Sequence, residues 1–152
     1  MKETTLCYIE QNQCYLMLYR NRKENDCNEG KWIGVGGKLE PGETPDECVI
    51  REVKEETGLD LVHFTKRGII GFQSDIWEDE IMHLYTADEV SGELTTDCNE
   101  GELHYIPLKD IMSLNLWEGD RIFLQKLLDG ENDIYLTCQY HGDVLVNVLH
   151  KI

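Results

Sequence analysis

Three carboxylates on one short stretch, Glu52, Glu55 and Glu56, have the clearest capacity for chemistry in this chain. At about 100° per residue on a helix they fall within a single arc of about 100°. On an isolated helix the like-charge pairs Glu52–Glu55 and Glu52–Glu56 each cost roughly 0.2–0.5 kcal/mol. A divalent cation reverses the sign of that term, and hard oxygen donors gathered this way suit Mg²⁺ or Mn²⁺. A solvated acidic face is the competing reading, and the three residues alone do not decide between them.

The elements that must position these carboxylates are legible around them. Thr44 is a good N-cap, Pro45 suits the first helical position, and Glu47 completes a Thr-x-x-Glu capping box. Gly58 is the residue expected in the left-handed conformation just past the end. A helix of about three and a half turns follows. Val49, Val53 and Ile50 form an apolar stripe beside the acidic arc, so the helix can lie on a core with its carboxylates at the rim. In front of it, Gly36 and Gly37 let backbone approach a ligand closely, and Gly42 permits a sharp turn. Glu43 and Arg51 are spaced so that a folded-back loop can pair them.

Residues 37–59 as a whole resemble the Nudix box, G-x5-E-x7-R-E-U-x-E-E-x-G-U with U apolar. Gly37, Glu43, Arg51, Glu52, Val53, Glu55, Glu56, Gly58 and Leu59 meet every fixed position. At ordinary residue usage such a match arises by chance with odds on the order of one in a billion per starting position. The resemblance implies the Nudix fold, an α/β/α sandwich with a mixed β-sheet and a catalytic loop-helix-loop. It implies hydrolysis of a nucleoside diphosphate linked to another group. Glu52, Glu55 and Glu56 would bind Mg²⁺, or Mn²⁺ in its place, with the Gly37 carbonyl as a further ligand. Glu43 and Arg51 would hold the loop against the helix, an orienting role that metal sites need as much as their ligands. A base or extra ligand comes from a downstream acidic loop in this family. Glu100, just before the strand expected over 103–106, is preferred to Glu102, and an exposed loop carboxylate is the alternative for both.

Outside the box, residues 31–38 and 116–120 resemble the MutT-type branch, which clears oxidised purine nucleoside triphosphates. By that resemblance Trp117 stacks on the base and Asp120 reads the purine edge. Lys38 and Arg22 (or its neighbour Lys23) would meet the phosphates, a solvated loop end being the alternative for each. Trp117 serves equally well as a hydrophobic anchor for the second helix. Trp32, Phe72 and Trp77 are either core or pocket wall. Two positions depart from the branch: Ile33 stands where some members have a polar base-reading residue, and Gly119 replaces a second acidic one. The expected reaction is hydrolysis of a nucleoside triphosphate, 8-oxo-dGTP or a related nucleotide, to monophosphate and pyrophosphate. That reaction belongs to nucleotide-pool sanitation and so to DNA repair. ADP-ribose or a dinucleotide is the alternative substrate. A nucleotide-sensing domain without turnover is the alternative of another class, disfavoured by the intact acidic trio.

Size and composition bound the rest. At 152 residues the chain is expected to form one domain over 1–152. A net charge of −16 argues against a general nucleic-acid surface and against an anionic membrane surface. Six scattered cysteines with no C-x-x-C pair point to reduced, mostly buried thiols. No charged-then-apolar leader or long apolar run is visible, which makes cytoplasm the default. The partner is a nucleotide substrate, with monomer and homodimer both open. Strands are expected over 4–9, 13–20, 32–35, 81–87, 103–106, 134–140 and 144–150. One or two more fall within 61–72, interrupted near Lys66, Arg67 and Gly68. A short helix over 108–113 and a strong one over 118–128 complete the set.

Overall fold

The computed structural model describes all residues except Glu24, Thr96 and Asp97. Glu24, within the polar stretch 21–30, and Thr96 and Asp97, within the acidic stretch 95–102, thus lie outside the described residues. The elements run β1 (Lys2–Gln11), β2 (Cys14–Arg20), β3 (Trp32–Ile33), α1 (Pro45–Thr57), β4 (Asp60–Ser74), β5 (Glu80–Ser91) and β6 (Gly101–Pro107). A 3₁₀ turn (Leu108–Ser113), α2 (Glu118–Leu128), β7 (Ile134–His141) and β8 (Val144–Leu149) follow.

The strands form a mixed sheet in the order β3-β2-β1-β5-β4-β7-β8, with β6 on the other side of β2. Pairs β1–β5 and β4–β7 are parallel, and the remaining neighbours are antiparallel. Alternation along the strands gives each face of the sheet its own apolar layer. Leu6 and Tyr8 of β1, Met17 of β2 and Leu84 of β5 pack with Phe123, Leu124 and Leu127 of α2. Cys7, Ile9, Leu16, Leu18 and Tyr85 pack on the other side with Val49 and Val53 of α1. One helix on each face of a mixed sheet is the expected α/β/α sandwich.

Two local features shape the site. Strands β1 and β2 pair only near their hairpin, at Glu10↔Tyr15 and Gln11↔Cys14, and then diverge. The glycine loop fills the gap along β1. Cys7 and Val35 exchange backbone hydrogen bonds of 2.6 and 3.0 Å, and the Thr5 N–H donates to the Gly37 carbonyl at 2.9 Å. A Cβ on Gly36, at φ +154°, would lie 2.1 Å from the Thr5 carbonyl oxygen, so no larger residue fits that approach. The second feature is β4. It is one strand rather than two, with register shifts at Leu61/His63, His63/Phe64 and Lys66/Gly68. The interruption expected near Gly68 is a bulge, because the β7 backbone at Ile134 approaches too closely for any side chain.

All six cysteines are free, and Cys7, Cys48, Cys98 and Cys138 are buried. Among the described residues no helix is long and apolar enough to cross a membrane.

Candidate active site

Helix α1 begins and ends as its sequence dictates. The Thr44 hydroxyl accepts from the Glu47 N–H at 3.1 Å, and the Glu47 carboxylate accepts from the Thr44 N–H at 3.0 Å. Gly58 closes the helix at φ 79°. Cys48, Val49, Val53 and Thr57 form its buried face, whereas Ile50, expected in the apolar stripe, is 44% exposed. On the helical wheel Ile50 lies about 100° from Val49, off the face that meets the sheet.

The same wheel separates the three carboxylates. Glu56 lies about 20° from Val49 and turns inward, whereas Glu55 lies about 120° from Val49 and turns outward. Glu52 and Glu56 both line a cleft of about 420 Å³, and Glu55 does not. The Glu55 side chain is 58% exposed and accepts from the Arg51 guanidinium at 3.2 Å. The expectation that all three converge is therefore corrected: two face the cleft, and Arg51 draws the third aside. Among the described residues no group of three or more His, Cys, Asp or Glu is gathered closely enough to hold a metal ion as it stands.

Glu52 and Glu56 nonetheless fit a cation. The Glu56 Oε2 atom is buried with no hydrogen-bond partner. Burial first, then the charges of Glu100 and Glu52, push its pKa up to about 9, although the Gly36 N–H pulls the other way. Burial likewise raises the Glu52 pKa against the pull of Arg51. Oxygen donors crowded with too little positive charge are the donor set a hard divalent ion satisfies. The carboxyl group of Glu52 also explains Gly37: a Cβ there would lie 2.4 Å from its carboxyl carbon. The Gly37 carbonyl itself is engaged with β1. It accepts from the Thr5 N–H at 2.9 Å, with the Cys48 thiol 3.5 Å away.

Arg51 locks the loop to the helix. Its Nε and Nη2 donate to the two oxygens of Glu43 at 2.7 and 2.9 Å, a bidentate pair. Nη2 also donates to the Lys38 carbonyl at 3.1 Å, and Nη1 to Glu52 at 2.7 Å. The guanidinium holds the Glu43 pKa down to about 2, chiefly through those hydrogen bonds.

Glu100 reaches the cleft from the turn before β6 and pairs with the Arg20 guanidinium at 3.2 Å. Glu102 does not line the cleft. Its carboxylate faces outward, accepting from Asn21 at 2.6 Å and lying 3.3 Å from the His104 ring. Of the two candidates, Glu100 alone lines the cleft. Lys38 and Lys23 line the cleft, and Arg22 does not: its guanidinium donates to the Cys98 carbonyl at 2.7 Å.

The far end of the cleft holds Trp117, Phe72 and Asp120. The Trp117 indole N–H donates to the Asn28 side chain at 2.8 Å, and Lys31 places its ammonium 4.7 Å from the ring centroid. Phe72 meets Trp117 edge-on at 5.5 Å and forms part of the wall, whereas Trp32 stacks outside the cleft against Tyr19 and His104. Trp117 is both anchor and wall: it belongs to the apolar layer under α2, and it also lines the cleft. Gly119 is demanded by packing. A Cβ there would sit 2.7 Å from the Cys138 sulfur and the Tyr140 hydroxyl.

Sequence reasoning missed Arg20, Asp26, Lys31 and Glu80. Arg20, the last residue of β2, is 9% exposed and held between Asp26 at 2.9 Å and Glu100 at 3.2 Å. Nothing in the local pattern announces that clamp, because both partners depend on how β2, β6 and their loops come together.

A mixed sheet between two helices, with a capped acidic helix facing a cleft lined by both carboxylates and basic side chains, defines an α/β/α protein with a site suited to a metal ion and an anionic ligand. The NUDIX domain family model matches residues 2–127. An oxidized purine nucleoside triphosphate hydrolase of Danio rerio is 32% identical over 133 residues, covering 86% of this chain and 82% of the relative. The Nudix hydrolase YvcI of Bacillus subtilis is 28% identical over 144 residues, covering 92% and 87%. The crystal structure of a MutT protein from Bacillus halodurans superposes with a TM-score of 0.88 at 26% identity, covering 98% of this chain and 97% of that one. The chain belongs to the Nudix hydrolase family, with MutT-type relatives.

Proposed function

We propose that this Nudix hydrolase cleaves a purine nucleoside triphosphate, 8-oxo-dGTP foremost, to the monophosphate and pyrophosphate in the presence of Mg²⁺. One observation carries the reading. A single cleft is lined by the carboxylates Glu52, Glu56 and Glu100, by Lys38, Lys23 and Arg20, and by Trp117 and Asp120. Carboxylates, basic groups and an aromatic wall in one cleft are what a metal-bound reacting phosphate, the remaining phosphates and a purine ring would each require.

Glu52 and Glu56 would hold the ion, with Glu100 as a further oxygen donor; Glu55 joins them only by leaving Arg51. When bound, the ion polarises a phosphoryl oxygen and activates water for attack on phosphorus. The chain supplies the rest. Lys38 and Lys23 neutralise phosphate oxygens as mobile point charges. Arg51 and Glu43 fix the loop so that Gly37 stays against Glu52, which keeps the carboxylate in place without strain. Glu100, which Arg20 holds at the cleft, would accept a proton from the attacking water. Trp117, pinned by Asn28, stacks on the base, and Asp120 hydrogen-bonds its edge. The name of the Danio rerio relative supports an oxidised purine as substrate.

The test is product analysis by ion-exchange chromatography over a panel of dGTP, 8-oxo-dGTP, dATP, dCTP, ADP-ribose and a dinucleoside polyphosphate with Mg²⁺. Monophosphate plus pyrophosphate from the purine triphosphates is expected. Turnover confined to ADP-ribose or the dinucleotide contradicts the substrate assignment.

A further inference from the structure

The cleft contains a second carboxylate at its base end that the sequence does not place there. Glu80, the first residue of β5, lines the cleft alongside Asp120, brought there by the parallel pairing of β5 with β1, in which it stands opposite Lys2. Its Oε2 accepts from the Thr4 hydroxyl at 2.6 Å, and its Oε1 lies 3.6 Å from the Lys2 ammonium. A carboxylate offers about four lone-pair sites, so these contacts leave acceptor capacity for a ligand.

Asp120 is the more telling of the two. It is only 8% exposed and lines the cleft, yet among the described residues no group donates a hydrogen bond to its carboxyl. A carboxyl set in a largely desolvated cleft wall with no protein donor favours a ligand that donates to it. Burial, and then the charge of Glu80, push its pKa up to about 7, so the two carboxyls feel one another. A carboxyl that keeps its proton can donate a hydrogen bond as well as accept one, so Asp120 beside Glu80 offers both kinds of partner.

We propose that Glu80 is a specificity-determining residue, acting with Asp120 as the second carboxyl of the base subsite, and that the pair takes the donor–donor–acceptor edge of a 2-amino-6-oxopurine. This rests on the nucleotide reading above and narrows its base from purines in general to those with a 2-amino-6-oxo edge. The exocyclic amine and ring N–H of such a base donate to the two carboxyls, and its carbonyl accepts from the Asp120 carboxyl when that group is protonated. Cytosine offers one donor followed by two acceptors, and adenine one donor followed by one acceptor, so neither satisfies the pair. Glu80 thus supplies the acidic group that Gly119, closed off by Cys138 and Tyr140, cannot carry.

The experiment measures binding of dGMP, dAMP and dCMP by calorimetry without divalent ion, for the wild type and for Glu80→Leu and Glu80→Asp, with thermal melting of each protein. Losing hydrogen bonds to a charged group is expected to weaken dGMP by about 10-fold or more in Glu80→Leu, and by less in Glu80→Asp. Affinities for dCMP and dAMP are expected to change by less than about twofold, since stacking and phosphate contacts are untouched. Equal losses for all three monophosphates, or no loss for dGMP, in whichever variant melts like the wild type, overturn the proposal and leave the nucleotide reading standing. A wild type that binds none of the three, and hydrolyses no triphosphate, overturns both.

Discussion

Replacing Asp120 by Asn should make the folded chain more stable at neutral pH and less sensitive to pH, at the expense of base binding. Asp120 is 8% exposed, and its pKa is raised from 3.8 to about 7, by burial first and the Glu80 charge second. The folded state therefore holds a proton that the unfolded chain releases near pH 4. Between about pH 4 and about pH 7 the native state binds more protons than the unfolded state, so stability falls as pH rises across that window. Below it the carboxyl is neutral in both states and costs nothing; above it the whole penalty is present. At about 1.4 kcal/mol per pKa unit, a shift of about three units sets a ceiling of about 4 kcal/mol. Urea unfolding of wild type and Asp120→Asn at pH 4, 5.5, 7 and 8, without nucleotide or metal, reads this directly. The stability difference in favour of the variant should grow by about 2–4 kcal/mol from pH 4 to pH 8. A difference that stays constant with pH, or grows in the opposite direction, refutes the claim that Asp120 is a desolvated, unpartnered carboxyl.

Other substitutions test other parts of the site. Gly37→Ala should cut turnover by about 100-fold or more, because its Cβ would displace the Glu52 carboxyl 2.4 Å away, while circular dichroism stays native. Arg51→Lys cannot make the two-pronged contact to Glu43 and should lower kcat by about 10–100-fold, read by pyrophosphate release at saturating substrate. Trp117→Ala should cost about 3–5 kcal/mol in urea unfolding, as a buried aromatic, and weaken every purine monophosphate.

How far the sequence carries differs by element. Helix α1 was legible to the residue, since Thr44, Pro45, Glu47 and Gly58 are local devices acting within a few residues of themselves. Helix α2 and the final hairpin followed from periodicity for the same reason. The wheel also placed the acidic arc, but it could not say which edge of that arc meets the sheet. Glu56 went inward and Glu55 outward because Cys48, Val49, Val53 and Thr57 set the buried face. Gly68 read as a break because glycine often is one; the close approach of β7 that makes it a bulge is a tertiary fact. Glu80 and Arg20 escaped entirely. Each reaches the cleft through long-range pairing, β1 with β5 and β2 with β6, and no spacing in the chain encodes those partners.

The most direct measurement of the central claim is Mg²⁺-dependent release of pyrophosphate from 8-oxo-dGTP and dGTP by the wild type and by Glu56→Gln. The account predicts monophosphate and pyrophosphate from the wild type, none when the divalent ion is chelated, and a loss of about 100-fold or more in the variant with 8-oxo-dGMP still bound. Turnover that survives chelation or the loss of the Glu56 carboxylate, or a wild type that binds these nucleotides and never cleaves them, would contradict it.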